Sequence, residues 1–170
     1  MKKFLGIVTL IMILWVSTAT EIKFSPDHWD IKKWCIVATD IIIDTQDNEI
    51  AATDIVMETS LEFVDFIPSN MFPYFLPPKI QGNVIHLVGF STDNTNRAIG
   101  SWSIWTLYLK QKDDQETDGS IKLYFIKKWS TTDSNLSIAW WVDVLDTVGS
   151  ALYRFWDTWL CVHNSADAIK

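Results

Sequence analysis

From Cys35 to about Val162 the apolar residues recur at short intervals, alternating with polar ones or in brief runs, and polar turns separate the runs. A repeat of two puts every second side chain on one face of a strand, whereas a helix needs a repeat near 3.6. Long stretches of the second kind are scarce. The candidate strands are 35–44 (CIVATDIIID), 49–58 (EIAATDIVME), 61–66 (LEFVDF), 83–90 (NVIHLVGF), 103–112 (SIWTLYLKQK), 120–128 (SIKLYFIKK) and a last region around 150–163. They are rich in Ile, Val, Thr, Tyr and Phe, the residues that suit a pleated, half-buried surface. LEFVDF and KLYFIK alternate cleanly, as expected where one sheet face packs on a core and the other meets water. The pattern predicts an all-β sandwich rather than a parallel sheet with helical crossovers.

Punctuation between the runs supports this. Segment 68–78 (PSNMFPYFLPP) holds four of the five prolines, and Pro lacks the N–H that a central strand must donate, so it reads as a loop or an edge. Its Met71, Phe72, Tyr74 and Phe75 form a candidate contact loop; the alternative folds these side chains over the core. The acidic stretch 113–119 (DDQETDG) ends in Asp-Gly and reads as a hairpin connection.

The first nineteen residues have the parts of an export signal: Lys2 and Lys3, an apolar run from Phe4 to Val16, then Ser17-Thr18-Ala19. The alternative is an uncleaved anchor, but the apolar run falls short of the roughly 20 residues that span a bilayer as a helix. The expected organisation is a signal peptide at 1–19, a lead-in at 20–34, one domain at 35–165 and a tail at 166–170. Loss of Lys2 and Lys3 leaves twelve basic against 21 acidic residues, a formal charge of about −9. That balance repels a phosphate backbone and excludes nucleic acid as the expected partner. In an exported chain the two cysteines, Cys35 and Cys161, are a candidate disulfide. The alternative is two buried free thiols.

Ten Trp against six Gly inverts ordinary usage. The tryptophans also stand in polar, turn-like surroundings (DHW29D, KKW34C, GSW102SIW105T, KKW129S, AW140W141V, FW156DTW159), where a sandwich normally uses glycine. We read many or all of them as UGA codons that the source organism decodes as glycine. The competing reading keeps them as tryptophans, several forming a flat aromatic platform for sugar rings.

Chemistry is sparse. The chain has three histidines, His28, His86 and His163, and no G-x-S-x-G, H-E-x-x-H or P-loop pattern, so no enzyme is expected. His86 falls in an alternating strand and reads as a structural or exposed residue. No cofactor is expected. Calcium has one weak candidate, Asp114-Gln-Glu116-Thr-Asp118-Gly119, in which Phe125 replaces the acid expected at loop position 12; Asp143 and Asp146 are a second grouping without diagnostic spacing.

Residues 35–162 resemble the cohesin domain and its relatives among bacterial extracellular sandwiches. The likeness lies in the alternating start at 35–44, then Ile55-Val56-Met57-Glu58 leading to Leu61-Glu62-Phe63-Val64, a loop with Phe72, the block 82–89 (GNVIHLVG) and the block 100–110 (GSWSIWTLYLK). The last block resembles a cohesin segment in which glycines precede a "T-L-x-F-K" strand, and fits better with glycine at 102 and 105. The resemblance implies a jelly-roll sandwich of about nine strands and, in the best-known members, recognition of a dockerin module by one sheet face. The expected function is therefore a non-catalytic interaction module holding a protein partner at the cell surface. The alternative is a carbohydrate-binding module that uses exposed aromatics to hold a polysaccharide.

Overall fold

A computed structural model describes residues 19–33, 35–92, 98–112, 118–128, 130, 132–139 and 142–156. These form thirteen strands, with no α-helix among the described residues. In chain order they are β1 (Glu21–Ser25), β2 (His28–Lys32), β3 (Ile36–Asp44), β4 (Ile50–Thr59), β5 (Glu62–Pro68), β6 (Tyr74–Phe75), β7 (Lys79–Gln81), β8 (Val84–Phe90), β9 (Ser101–Lys110), β10 (Gly119–Leu123), β11 (Asn135–Ile138), β12 (Thr147–Val148) and β13 (Ser150–Trp156).

Two sheets make a sandwich. Sheet A runs β12-β1-β3-β9-β5, and sheet B runs β2-β13-β10-β4-β8-β6, with β11 on β4 and β7 on β8. Alternation decides which side chains face inward: β3 buries Val37, Thr39, Ile41 and Ile43, while β4 buries Thr53, Ile55, Met57 and Thr59. Val37, Ile41, Ile43, Ile55 and Met57 of this set join Ile85 and Leu87 of β8 and Leu107 and Leu109 of β9 in one core.

The expected count of nine strands reappears when continuations are joined. β1 and β2 are one run that leaves sheet A at the cis Ser25-Pro26 bond and enters sheet B, and β12 and β13 make the same crossing at Gly149. Among the described residues the first and last strands lie side by side and parallel in both sheets. β10 and β11 lie end to end along β4, interrupted by residues 124–134. β6 and β7 lie end to end along β8, and the ladder breaks at Pro77-Pro78, where neither residue has an N–H to give. Four such pairs reduce thirteen segments to nine.

Two sequence expectations are corrected. Residues 20–34 are not a lead-in: they supply β1 and β2, and Ile22 and Phe24 are in the core. Nor does 113–119 close a hairpin, because β9 pairs with β3 and β5 in sheet A, whereas β10 pairs with β4 and β13 in sheet B. The Asp-Gly signal misled because Gly119 is a strand residue placed there for space: a Cβ would lie 2.3 Å from Leu61 Cδ2 and 2.9 Å from Phe155 Cε2. The strand expected over 120–128 also stops at Leu123, since the chain turns out into the 124–134 excursion.

The reading of 68–78 as a loop or edge fits the structure. β5 is the edge of sheet A and ends at Pro68, and β6 is an edge strand of sheet B.

Candidate functional site

The two outer faces differ in what they leave unsatisfied. On sheet A the polar groups are consumed internally: Thr106 Oγ1 donates to Asp40 Oδ1 (2.5 Å), Lys110 pairs with Glu62 (3.1 Å), and Lys23 pairs with Glu21 (3.4 Å). Tyr108, registered opposite Ala38, is covered. On sheet B, β4 turns Ala52, Asp54, Val56 and Glu58 outward, and β8 turns out Val84, His86, Val88 and Phe90. The antiparallel register sets Ala52 beside Phe90, Asp54 beside Val88 and Val56 beside His86. At the β6 edge Tyr74 stacks on Phe90 (ring centroids 5.5 Å, planes 24° apart), and Leu76 follows, its N–H donating to Val88 O. Tyr74 and Leu76 are each 50% exposed. Contiguous apolar surface of this kind marks contact sites more than isolated exposed residues do.

One polar pair sits amid this strip. His86 Nε2 and Asp54 Oδ1 are hydrogen-bonded across the diagonal between β8 and β4. Burial raises the Asp54 carboxyl above its ordinary value, and Asp133 adds to the rise; the His86 hydrogen bond and charge oppose it. At the β10 side, Tyr124 donates its hydroxyl to Glu58 Oε2 (2.8 Å), and Ser134 Oγ bridges both backbone groups of Val56.

The four aromatic and Met candidates of the Pro-rich loop divide. Phe72 is buried, and Phe75 packs edge-on against Phe72 and Trp105. Both rings need Gly89 on β8, where a Cβ would stand 2.9 Å from Phe75 Cε1. Met71 lies half-buried against the same core. Tyr74 alone turns out to the face. Asp54, Val56, Leu76, Val88 and Phe90 were missed as site residues; strand alternation marks four of them as outward, but only the β4–β8 register brings them together.

Cys35 is buried just before β3 and is disulfide-bonded. Cys161 and the stretch Asp114–Glu116 of the calcium candidate lie outside the described residues, as do the signal residues 1–18. Asp143 and Asp146 are occupied by backbone and lysine: Asp143 Oδ1 accepts from Leu136 N (3.3 Å) and Leu145 N (3.0 Å), and Asp146 Oδ1 pairs with Lys128 (2.5 Å). Among the described residues no group of three His, Cys, Asp or Glu is placed to hold a metal ion. A cleft of about 280 Å³ opens between β2 and the start of β3, lined by Trp29 to Lys32 and Cys35 to Ala38, and presents one acid and one amine, Asp30 and Lys32.

The three tryptophans whose side chains are described, Trp29, Trp102 and Trp105, form no shared platform. Trp29 is on β2 in sheet B, Trp102 is on β9 in sheet A, and Trp105 is 1% exposed in the core.

Solved structures superpose on this architecture at low sequence identity. The sixth cohesin of scaffoldin B from Acetivibrio cellulolyticus, solved in complex with a mutant Cel5 dockerin, shares 10% identity at a TM-score of 0.68, covering 82% of this chain and 100% of its own. The chain has the cohesin fold. A type I cohesin from Clostridium thermocellum, also in a dockerin complex, gives 0.65 at 8% identity over 82% of this chain and 100% of its own. The non-cellulosomal cohesin of the archaeon Archaeoglobus fulgidus gives 0.61 at 10% identity, covering 82% and 93%. No family model and no curated protein matches the sequence. The cohesin fold agrees with the resemblance carried by residues 35–162.

Proposed function

We propose that this domain is an exported, non-catalytic docking module that holds a dockerin-like protein partner at the cell surface through the outer face of sheet B. The observation that carries the reading is the apolar strip of Tyr74, Leu76, Val88 and Phe90, left open beside the Asp54–His86 pair on a domain with the cohesin fold. Cohesins of this fold are solved bound to dockerins, which supports a protein partner over a polysaccharide. The dispersed Trp29, Trp102 and Trp105 give the sugar-platform alternative no flat surface among the described residues. The signal at 1–19 supports export, and no helix among the described residues is long and apolar enough to cross a membrane.

The test is affinity isolation from the source organism's exported proteins with the wild type and with Val88→Asp, run beside a glycan array. The reading expects a protein retained by the wild type and lost by Val88→Asp. Retention of glycans alone would sink it.

A further inference from the structure

Where β1 leaves sheet A at Pro26, its departure opens a gap beside β3. On that side β3 is paired only from Asp40 to Asp44, so among the described residues 36–39 present a bare strand edge. The facing wall is β2, the outermost strand of sheet B. Between them lies the cleft of about 280 Å³ lined by Trp29 to Lys32 and Cys35 to Ala38. Backbone groups along such edges are templates for pairing, and folded proteins blunt or cover them. The other three sheet ends are blunted: β12 has two residues, β5 is bulged between Phe63 and Asp65 and ends at Pro68, and β6 and β7 are parted by Pro77-Pro78. β2 keeps an unbroken register over its five residues. It is the edge that needs a cover.

Cys35 lines the cleft and is disulfide-bonded, and the sequence holds one other cysteine, Cys161. β13 ends at Trp156 in register with Lys32, and Cys35 N donates to Lys32 O (3.2 Å), so the end of the last strand and Cys35 are neighbours. The stretch from Trp156 to Cys161 reaches about 17 Å when extended, enough to close that bond. We propose that the Cys35–Cys161 bond delivers residues 162–170 to the cleft, where they lie as an extended strap between β2 and residues 36–39 of β3 and cover the bare edge. The sequence VHNSADAIK suits the place. It has no proline, so each residue has an N–H to offer one edge or the other. Ser165, Ala166 and Ala168 are small enough for a narrow gap, and His163 and Asp167 bring an imidazole and a carboxylate to a wall that presents Asp30 and Lys32. Fully extended, the segment spans about 30 Å, against about 17 Å for β2. The strap lies at the opposite end of sheet B from Tyr74 and leaves the docking strip open.

Hydrogen–deuterium exchange of the oxidised full chain, read by nuclear magnetic resonance, tests this, with a thermal melt to check the fold of each variant. The amides of residues 28–32 and 36–39 that face the cleft should be protected in the parent. Deleting 162–170 while keeping Cys161 should speed their exchange roughly tenfold or more and leave β4 and β8 unchanged, as the local loss of a cover does. Successive N–H groups of a strand face opposite edges, so Ser165→Pro and Ala166→Pro should each open one edge without shortening the chain. Cleft amides that exchange freely in the parent, or equally fast with and without 162–170, overturn the inference. Protection that appears only as protein concentration rises, with a dimer in sedimentation, assigns the cleft to a second copy and overturns it too. None of these results bears on the docking strip, which Val88→Asp tests separately.

Discussion

Replacing Trp105 with glycine tests the core and the identity of the residue together. The indole is 1% exposed, packs edge-on against Phe75 at 5.5 Å, and faces Ile41 and Pro68 across β9. Emptying such a site costs about 3–5 kcal/mol, and glycine in a strand adds roughly 0.5–1 kcal/mol. Against this, indole Nε1 is buried with no hydrogen-bond partner, and removing an unsatisfied donor recovers about 1–3 kcal/mol. The net loss is about 3 kcal/mol, large beside the roughly 5–15 kcal/mol that holds a typical domain. For a domain of this size that lowers Tm by about 6–12 °C. Trp105→Phe keeps an aromatic ring against Phe75 and deletes the orphan donor, so it should lie within about 1 kcal/mol of the parent. Circular-dichroism melts and urea titrations of the three proteins measure both effects. If glycine at 105 left the Tm unchanged or raised it, the indole would not be a working part of the core, and the glycine decoding would gain its first physical support.

Further expectations concern packing, titration, cross-linking and decoding. Gly119→Ala drives a methyl group into Leu61 and Phe155, and a melt should show a loss of about 1–3 kcal/mol; no loss would mean the strands are not this close. Burial pushes the Tyr153 phenol up to about 12, so it stays protonated in the fold while the unfolded chain ionises near 10; stability should fall by about 2 kcal/mol between pH 10 and 12, and Tyr153→Phe should abolish that slope. A Cys35–Cys161 bridge should appear as a gain of two hydrogens on reduction, with a stability loss on the order of 4–5 kcal/mol; an unchanged mass would exclude it. Peptide mass spectrometry of protein from the source organism should find glycine at many of the ten Trp positions, and Trp at all of them would end the recoding reading.

Strands β3, β4, β5, β8 and β9 were legible because each carries a period-two pattern long enough to be told from a helix. β2 was not: His28, Trp29 and Asp30 are all exposed, and its place is set by parallel pairing with β13, more than a hundred residues away. The joint between β10 and β11 was equally hidden, since Tyr124 and Ser134 hold the ladder to Val56 while the intervening residues leave it. Asp-Gly at 118–119 carried a true signal for a residue without a side chain, and packing supplied the reason. In the candidate site, composition identified the aromatics of 68–78 but not their direction, because prolines remove the alternation that would have separated Tyr74 from Phe72 and Phe75. The Asp54–His86 pair joins residues 32 positions apart, and only the antiparallel register of β4 and β8 makes them neighbours.

The most direct test of the docking account is a nuclear magnetic resonance titration of the isotopically labelled domain with its isolated exported partner. The account predicts shift changes concentrated at Asp54, Tyr74, Leu76, Val88 and Phe90. Changes confined to the outer face of sheet A, around Asp40, Thr106 and Tyr108, would contradict it.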